Sequence, residues 1–247
     1  FVGFYLLFII IGAGFGLSET LEHSAFFFYY TWIMDLIAPI VILAVLWAIV
    51  RRYIIRPPRL QGEQTAEAMV ILITVLLHPA THLFKIATGI ALGNPPAGLG
   101  GALPPVSSAL SNLFADMSPG GVEAAHAAFF WGHWLVILFV LVFITYSRYL
   151  HMIAALFNIL FRSPLPKGAL RSVDLEAAGT FGAAKITNLS WKQVLDLYSC
   201  VVCGRCQDIC PATASGKPLN PKKLIQDLKK HLLEAGPELV KNKGGNP

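Results

Sequence analysis

Long runs of apolar residues constrain the fold of this 247-residue chain more than any other feature. Hydrophobic residues make up 55% of the sequence, charged residues only 13%, and the mean hydropathy is +0.61. A water-soluble domain carries far more charge than this. A transmembrane helix needs about twenty successive apolar residues. We therefore predict an all-α fold in which a transmembrane helical bundle precedes a smaller polar domain.

Four segments have the length and composition of membrane spans. Pro57 and Pro58 are expected to end the second span, because proline cannot continue a helix. The region between the third and fourth spans is rich in Gly, Pro and Ser and is expected to be a long loop. The predicted spans are 1–17, 28–53, 65–92 and 122–161, the last of them as one continuous helix.

Positive charge is distributed unevenly between the loops. Loops 18–27 and 93–121 contain no Lys or Arg. Basic residues follow the second and fourth spans instead, which places those segments in the cytoplasm. We predict a multi-pass protein of a prokaryotic inner membrane, and no basic-aromatic pattern suggests a nucleic-acid partner. The basic residues are Arg51, Arg52, Arg56, Arg59, Arg148, Arg162, Lys167 and Arg171.

The polar part of the chain begins after residue 162. We divide the chain into a membrane domain at 1–162, a linker at 163–188 and a polar segment at 189–247. The sequence SWKQVLDLYS predicts a helix from about Leu189, and Asn220 with Pro221 predicts the start of another helix through about Leu233. The first residue is not Met and lies within an apolar run, so we expect the chain to belong to a longer protein.

All four cysteines of the chain lie between Cys200 and Pro211, in the sequence CVVCGRCQDICP. The spacing C-x2-C-x2-C-x3-C-P is that of bacterial-type ferredoxins, in which the fourth cysteine ligates the other of two clusters. We predict that Cys200, Cys203 and Cys206 bind one [4Fe-4S] cluster and that Cys210 binds a second. The alternatives are structural zinc, whose ligand pairs usually lie farther apart, and disulfides, which need an oxidising compartment.

Two histidines lie eighteen residues apart in the fourth span. On a continuous helix this spacing is five turns, so His133 and His151 would share one face about 27 Å apart. Histidines inside a membrane are candidate functional residues. We predict that each binds one of two stacked b hemes. The alternative is that both are interfacial residues that anchor the helix ends.

Each heme needs a second axial ligand from another helix. His82 on the third span has a depth similar to that of His133, and His78 lies one turn deeper on the same face. We predict His82 as the partner of His133, with hydrogen-bonded helix packing as the alternative role. His23 and His126 are expected to be interfacial. No partner for His151 is evident, so we expect that ligand to precede Phe1.

Charged residues near the histidines have several candidate roles. Lys85, one turn from His82, is expected to extend towards the interface, to neutralise a heme propionate or to bind a quinone carbonyl. Arg148, with Arg51 and Arg52, either meets propionates or serves only the orientation of the protein. Asp35 is either a proton acceptor in quinol chemistry or a residue at the start of a helix near water.

Two stretches carry a family resemblance. SRYLHMIAALFNILFRSP, with His133 eighteen residues before His151, resembles the diheme cytochrome b gamma subunit of respiratory nitrate reductase. SWKQVLDLYSCVVCGRCQDICPATASGKPLNPKKLIQDL is similar to the helical ferredoxin segment of heterodisulfide-reductase-like proteins. Together they resemble the membrane iron–sulfur oxidoreductases that link electron-transferring flavoprotein to menaquinone.

The resemblance implies an activity and partners. It implies that a cytoplasmic ferredoxin-like domain passes electrons through [4Fe-4S] clusters and two b hemes to menaquinone, with reduced electron-transferring flavoprotein as donor. A second cluster motif and cysteine-rich CCG domains would lie beyond this chain or in another subunit. In the gamma subunit the remaining heme ligands lie on the helix that corresponds to the first span. That span contains no histidine here, and the first histidine of the chain is His23, so the second ligand of the outer heme stays open between His82, His78 and His23.

Two other functions stay open at this stage. One is the cytochrome b subunit of a complex that reduces a heterodisulfide or sulfur compound with electrons from quinol. The other, from a different class, is a non-redox membrane scaffold or transporter with a zinc-binding tail. Transporters usually contain internal repeats, and no repeat is evident in this sequence.

Overall fold

A computed structural model describes residues 25–60, 65–96, 102–166, 169 and 182–241. These residues form helices, turns and loops and contain no strand, which confirms the all-helical prediction for this part of the chain. The chain divides into two compact units, one of residues 1–55 and 64–141 and one of residues 56–63 and 142–247. The helices are α1 (Ala25–Val50), α2 (Thr65–Ala91), α3 (Pro105–Ser111), α4 (Pro119–Tyr146), α5 (Leu150–Leu160), α6 (Trp191–Tyr198), α7 (Arg205–Asp208), α8 (Pro211–Ala214) and α9 (Pro221–Lys241).

Three helical segments are long and apolar enough to cross a membrane: Phe26–Ile55, Ala66–Ala91 and Pro119–Tyr146. They correspond to the second, third and fourth predicted spans. The first predicted span, 1–17, lies outside the described residues. Large apolar side chains on these helices are exposed, among them Ile40, Leu43 and Trp47 on α1. Exposure of this kind is expected of a surface that meets lipid, which is as apolar as the side chains themselves.

Helix α1 continues into a π-helical turn, Arg51–Ile55, and the helical segment ends there. Pro57 and Pro58 follow, so the predicted proline stop is confirmed. Arg56, between the turn and the prolines, has a positive φ of 51°. The chain then makes a short 3-10 turn, Pro58–Leu60, which belongs to the second unit.

The region predicted as one long loop, 93–121, contains a helix. Helix α3 begins at Pro105 and is followed by a 3-10 turn, Asn112–Phe114. Its first backbone N–H groups, those of Val106 and Ser107, donate to the carboxylate of Asp35 on α1, at 2.7 and 3.0 Å. Helix N-termini leave such N–H groups without partners inside the helix. A distant carboxylate supplies the partner here, so the sequence of the loop alone did not reveal the helix.

The prediction of one continuous helix from Val122 to Phe161 is wrong. Helix α4 ends at Tyr146, and α5 begins at Leu150. Between them the backbone makes three successive i to i+3 hydrogen bonds, starting from the carbonyl of Ser147, and the Ser147 hydroxyl accepts from the N–H of Tyr149 at 3.1 Å. Serine side chains compete in this way for backbone groups. At 11 residues α5 is too short to span a bilayer.

The second unit has short helices on both sides of the cysteines. The predicted start of α6 is confirmed, since Ser190 and Gln193 form a capping box at its N-terminus. Helix α6 packs against α5 and α9. Asn220 accepts from the N–H of Lys223 as a cap of α9, and this helix runs to Lys241, beyond the predicted end. Pro237 lies within it.

Candidate functional site

The first unit brings three of the predicted histidines together. His78 and His82 lie on α2, and His133 lies on α4 and is 4% exposed. The His133 ring stacks on that of His78 with centroids 4.8 Å apart, and its centroid lies 5.6 Å from that of His82. The structure therefore places both candidate partners of His133 beside it, where either can contribute a nitrogen to a shared ligand.

A threonine hydroxyl orients the His133 ring. Thr81 Oγ1 lies 2.8 Å from the carbonyl of Leu77 and 3.0 Å from that of His78, so its hydrogen is donated within α2. The same oxygen lies 3.0 Å from His133 Nδ1 and must accept the proton of that nitrogen. His133 thus carries its proton on Nδ1, which leaves Nε2 in the form that binds a metal.

A second pair repeats this arrangement seven residues away on both helices. Thr88 Oγ1 donates to the carbonyl of Phe84 at 2.8 Å and accepts from His126 Nδ1 at 3.0 Å. The step from Thr81 to Thr88 equals the step from His126 to His133, as expected of two antiparallel helices in register. His126 was predicted only as an interfacial residue. Its ring lies against that of Phe130, and no histidine ring stacks on it among the described residues.

His82 has an unsatisfied buried nitrogen. Its Nε2 is buried and has no hydrogen-bond partner among the described residues. Buried polar atoms are almost always paired, so an orphaned one needs an explanation. A buried imidazole nitrogen without a hydrogen-bond partner, beside another histidine, is a candidate ligand of a metal or cofactor. Lys85 lies one turn further along α2 and is partly buried.

The surroundings of His151 are local to the second unit. His151 Nδ1 donates to the backbone carbonyl of Arg148, which leaves its Nε2 without a proton. Arg148 is only 8% exposed, in the turn between α4 and α5. Burial raises the pKa of neighbouring Tyr149 to about 12, so its phenol stays neutral. The prediction that His133 and His151 share one face, five turns apart, required one continuous helix. It does not hold, because α4 and α5 are separate helices.

Asp35 is fully buried, which excludes the predicted role at a helix start near water. Besides the two N–H groups of α3, the Ser107 hydroxyl donates to it. Ser107 is itself fully buried. The Asp35 side chain therefore joins two segments 72 residues apart in sequence.

The second candidate site is the cysteine loop. All four thiols are free: Cys203 and Cys206 are exposed, and Cys200 and Cys210 are half-buried. Two residues of the loop have left-handed backbone conformations, Val202 with φ 61° and Gly204 with φ 75°. Such residues turn the chain sharply, and a valine there is unusual because it is β-branched. This winding keeps the thiols within a single loop.

Cys210 lies immediately before α8, whose first residue is Pro211. The backbone N–H of Thr213 lowers the pKa of the Cys210 thiol, because a hydrogen bond to the sulfur favours the thiolate. Thiolates are the ligands of iron–sulfur clusters. The structure gathers no group of three or more His, Cys, Asp or Glu side chains into a metal site among the described residues. The donor set itself, four free thiols within eleven residues, fits a soft metal centre.

Sequence analysis missed one residue that contacts the cysteine loop. Arg59, in the 3-10 turn Pro58–Leu60, was assigned only to the cytoplasmic positive charge. Its Nη1 lies 2.8 Å from Asp208 Oδ2, between Cys206 and Cys210. The pair is 149 residues apart in sequence. The only local signal was the glycine within the cysteine run, which permits a close approach of another segment.

The chain is similar to three curated proteins. It is 32% identical over 214 residues, 84% of this chain, to the "Probable iron-sulfur-binding oxidoreductase FadF" of Bacillus subtilis. It is 29% identical over 221 residues, 87% of this chain, to the "EtfAB:quinone oxidoreductase" of Syntrophomonas wolfei. A 60-residue stretch, 24% of this chain and 9% of the relative, is 48% identical to the "Probable membrane-anchored ferredoxin" of Chromohalobacter salexigens.

The first two matches cover 29% and 31% of those relatives, so the chain spans less than a third of their length. No family model matches the chain. No solved structure matches it either. The names of these relatives agree with the four free thiols and with the candidate membrane helices of this chain.

Proposed function

We propose that this chain is the membrane and first-cluster portion of an oxidoreductase that carries electrons between a cytoplasmic donor and menaquinone. The donor is reduced electron-transferring flavoprotein, and the path uses [4Fe-4S] clusters and two b hemes. The observation that carries the proposal is the loop of four free thiols in a chain with three candidate membrane helices. The relative named for EtfAB and quinone supports the choice of donor and acceptor.

The clusters and hemes supply one-electron redox chemistry when bound. Cys200, Cys203 and Cys206 would hold one cluster, and Cys210 would be a ligand of a second. The hydrogen bond from Thr213 keeps Cys210 ready to bind as a thiolate. The protein thereby fixes the position of each redox centre, which determines the order of electron transfer.

Histidines on two helices hold the heme in the first unit. His133 presents Nε2 because Thr81 accepts the proton of Nδ1, and His82 offers its buried Nε2 from α2. His78, stacked on His133, is the alternative ligand. His151 presents Nε2 for the other heme, whose second ligand is not among the described residues. Lys85 and Arg148 would pair with heme propionates or with a quinone carbonyl.

The test is a reduced-minus-oxidised visible spectrum of the detergent-purified protein, with heme, non-heme iron and zinc measured per chain. We expect two b hemes and iron beyond that of heme. A protein with neither heme nor non-heme iron contradicts the proposal, and zinc in their place favours a scaffold with a zinc-binding tail.

Two matched variants test the histidine assignment. His133→Ala is expected to remove one heme per chain. His126→Ala is expected to keep both, since His126 is held by a threonine in the same way but faces no histidine. If His126→Ala loses heme and His133→Ala keeps both hemes, the ligand is His126 and not His133.

A further inference from the structure

The close approach of Arg59 to the cysteine loop carries a further inference. Gly204, between Cys203 and Cys206, is buried and has a φ of 75°. A Cβ atom at this position would lie 2.7 Å from the carbonyl oxygen of Arg59 and 3.0 Å from its Cβ. Atoms do not approach so closely without a shift of the backbone. The turn Pro58–Leu60 therefore lies directly against the cysteine loop, with no room for a side chain between them.

Arg59 makes two further contacts with the cysteine segment. Its guanidinium pairs with Asp208 at 2.8 Å, and its backbone carbonyl accepts from Lys222 Nζ at 2.9 Å. Asp208 lies at the end of α7, between Cys206 and Cys210, and Lys222 lies in the first turn of α9. Arg59 thus contacts the cysteine loop on both sides of Cys206, at Gly204 and at Asp208. It also contacts helix α9 through Lys222.

We propose that Pro58–Leu60 is a strap that holds the cysteine loop in its cluster-binding conformation, with Arg59 as the positioning residue. This inference rests on the proposed iron–sulfur function. A rigid loop fixes the directions of its thiolates, which slows the loss of iron. Without the strap, the loop keeps its ligands but loses three contacts that restrain it.

The strap also has an electrostatic role. A cluster held by thiolates is anionic, and its reduction potential depends on nearby charge and hydrogen bonds. Asp208 adds a negative charge next to two of the cysteines, and the guanidinium of Arg59, 23% exposed, balances it. Loss of Arg59 leaves Asp208 uncompensated, so one-electron reduction of the cluster becomes less favourable. Arg59→Gln is expected to lower the midpoint potential, and Asp208→Asn is expected to raise it.

The experiment uses the full chain in lipid nanodiscs under anaerobic conditions. Electron paramagnetic resonance during a redox titration gives the midpoint potential, and the rate of iron release to a chelator gives the rigidity of the loop. For Arg59→Gln we expect a lowered potential and iron release several-fold faster than in the unaltered protein. Arg59→Lys keeps the positive charge, so its midpoint potential is expected to lie close to that of the unaltered protein. Its rate of iron release is expected to lie between those of Arg59→Gln and the unaltered protein.

Arg205→Gln is the matched control. Arg205 is an exposed arginine next to Gly204, and its side chain makes no hydrogen bond or ion pair with the strap among the described residues. Its removal tests the effect of charge without the contact, so iron release is expected to stay unchanged. If Arg59→Gln and the unaltered protein both bind iron and release it at the same rate, the proposed strap is wrong. The proposed iron–sulfur function would not be affected by that result. An unaltered protein without iron–sulfur signals overturns the proposed function and the strap together.

Discussion

The cysteine loop and the histidine cluster contribute ligands in opposite ways. Four cysteines fall within eleven residues, and the backbone of one loop sets their directions. His82 and His133 come from two long helices, 51 positions apart in sequence, and each depends on how those helices pack. The loop has left-handed residues and one close steric contact, whereas the helices have hydroxyl groups that orient rings.

This difference predicts how each site responds to substitution. A loop wound around one tight contact has few ways to adjust, so a single added atom is expected to disturb every ligand in it. Rings between helices rest on many weak contacts, each of which is expected to contribute a small, separable effect. The following substitutions test this contrast, from the largest expected effect to the smallest.

Gly204→Ala is expected to remove most of the iron bound by the cysteine loop. The new Cβ would meet the Arg59 carbonyl at 2.7 Å, and φ of 75° is also unfavourable for alanine. Gly216→Ala is the matched control, because Gly216 has a φ of 72° but nothing within 4 Å of the added atom. Iron per chain is the measurement. If both variants lose iron equally, backbone strain and not the contact with Arg59 explains the loss.

Asp35→Ala is expected to destabilise the first unit while leaving iron in the cysteine loop. The substitution strands the buried N–H groups of Val106 and Ser107 and the Ser107 hydroxyl. Each buried donor left without an acceptor costs about 1–3 kcal/mol, so the three together are expected to lower the free energy of unfolding by about 3–9 kcal/mol. Ser107→Ala removes one donor and is expected to cost about 1 kcal/mol. Denaturant unfolding in detergent measures both, and similar values would show that the carboxylate is not the centre of this contact.

Thr81→Val is expected to weaken heme binding at His133 without abolishing it. Valine keeps the shape of threonine but cannot accept the Nδ1 proton, so the ring loses its fixed tautomer. Loss of such a partner typically reduces metal affinity by about 10–100-fold. Thr88→Val makes the same change beside His126 and is expected to leave heme affinity unchanged. Heme titration of the depleted protein compares the two variants, and equal losses would mean that both histidines bind heme.

Asp196→Asn is expected to have the smallest effect. Asp196 accepts from Lys192 and from Asn158, both at 2.6 Å, and so helps to join α6 to α5. The Asp196 side chain is 48% exposed, and exposed pairs of this kind contribute roughly 0.2–1 kcal/mol. A shift of the thermal midpoint of only a few degrees is expected, with iron and heme unchanged. A loss of iron in this variant would show that the α5–α6 contact supports the cysteine loop.

The sequence predicted those elements whose formation depends on residues close together in the chain. The proline stop after Ile55, the helix that follows Ser190 and the helix starting at Pro221 each rest on residues within a few positions of one another. The predicted spans that correspond to α1 and α2 were recovered because lengthy apolar runs leave few alternatives.

The missed features depend on residues far apart in sequence. Helix α3 needs Asp35 from α1, and the position of Arg59 needs a glycine 145 residues later. The break after Tyr146 contains neither proline nor glycine, and only a serine hydroxyl bonded to the backbone marks it. The pairing of Thr81 with His133 follows from helix packing, which the spacing of the histidines alone does not reveal.

The distance in sequence between Arg59 and Asp208 has a consequence for biosynthesis. The two residues are separated by 149 positions, and a ribosome adds about 5–20 residues per second. Arg59 therefore emerges on the order of ten seconds before its partner. The cysteines emerge within about two seconds of Asp208. The Pro58–Leu60 turn is therefore already synthesised when the loop appears, and it can close on the loop as soon as Asp208 is made.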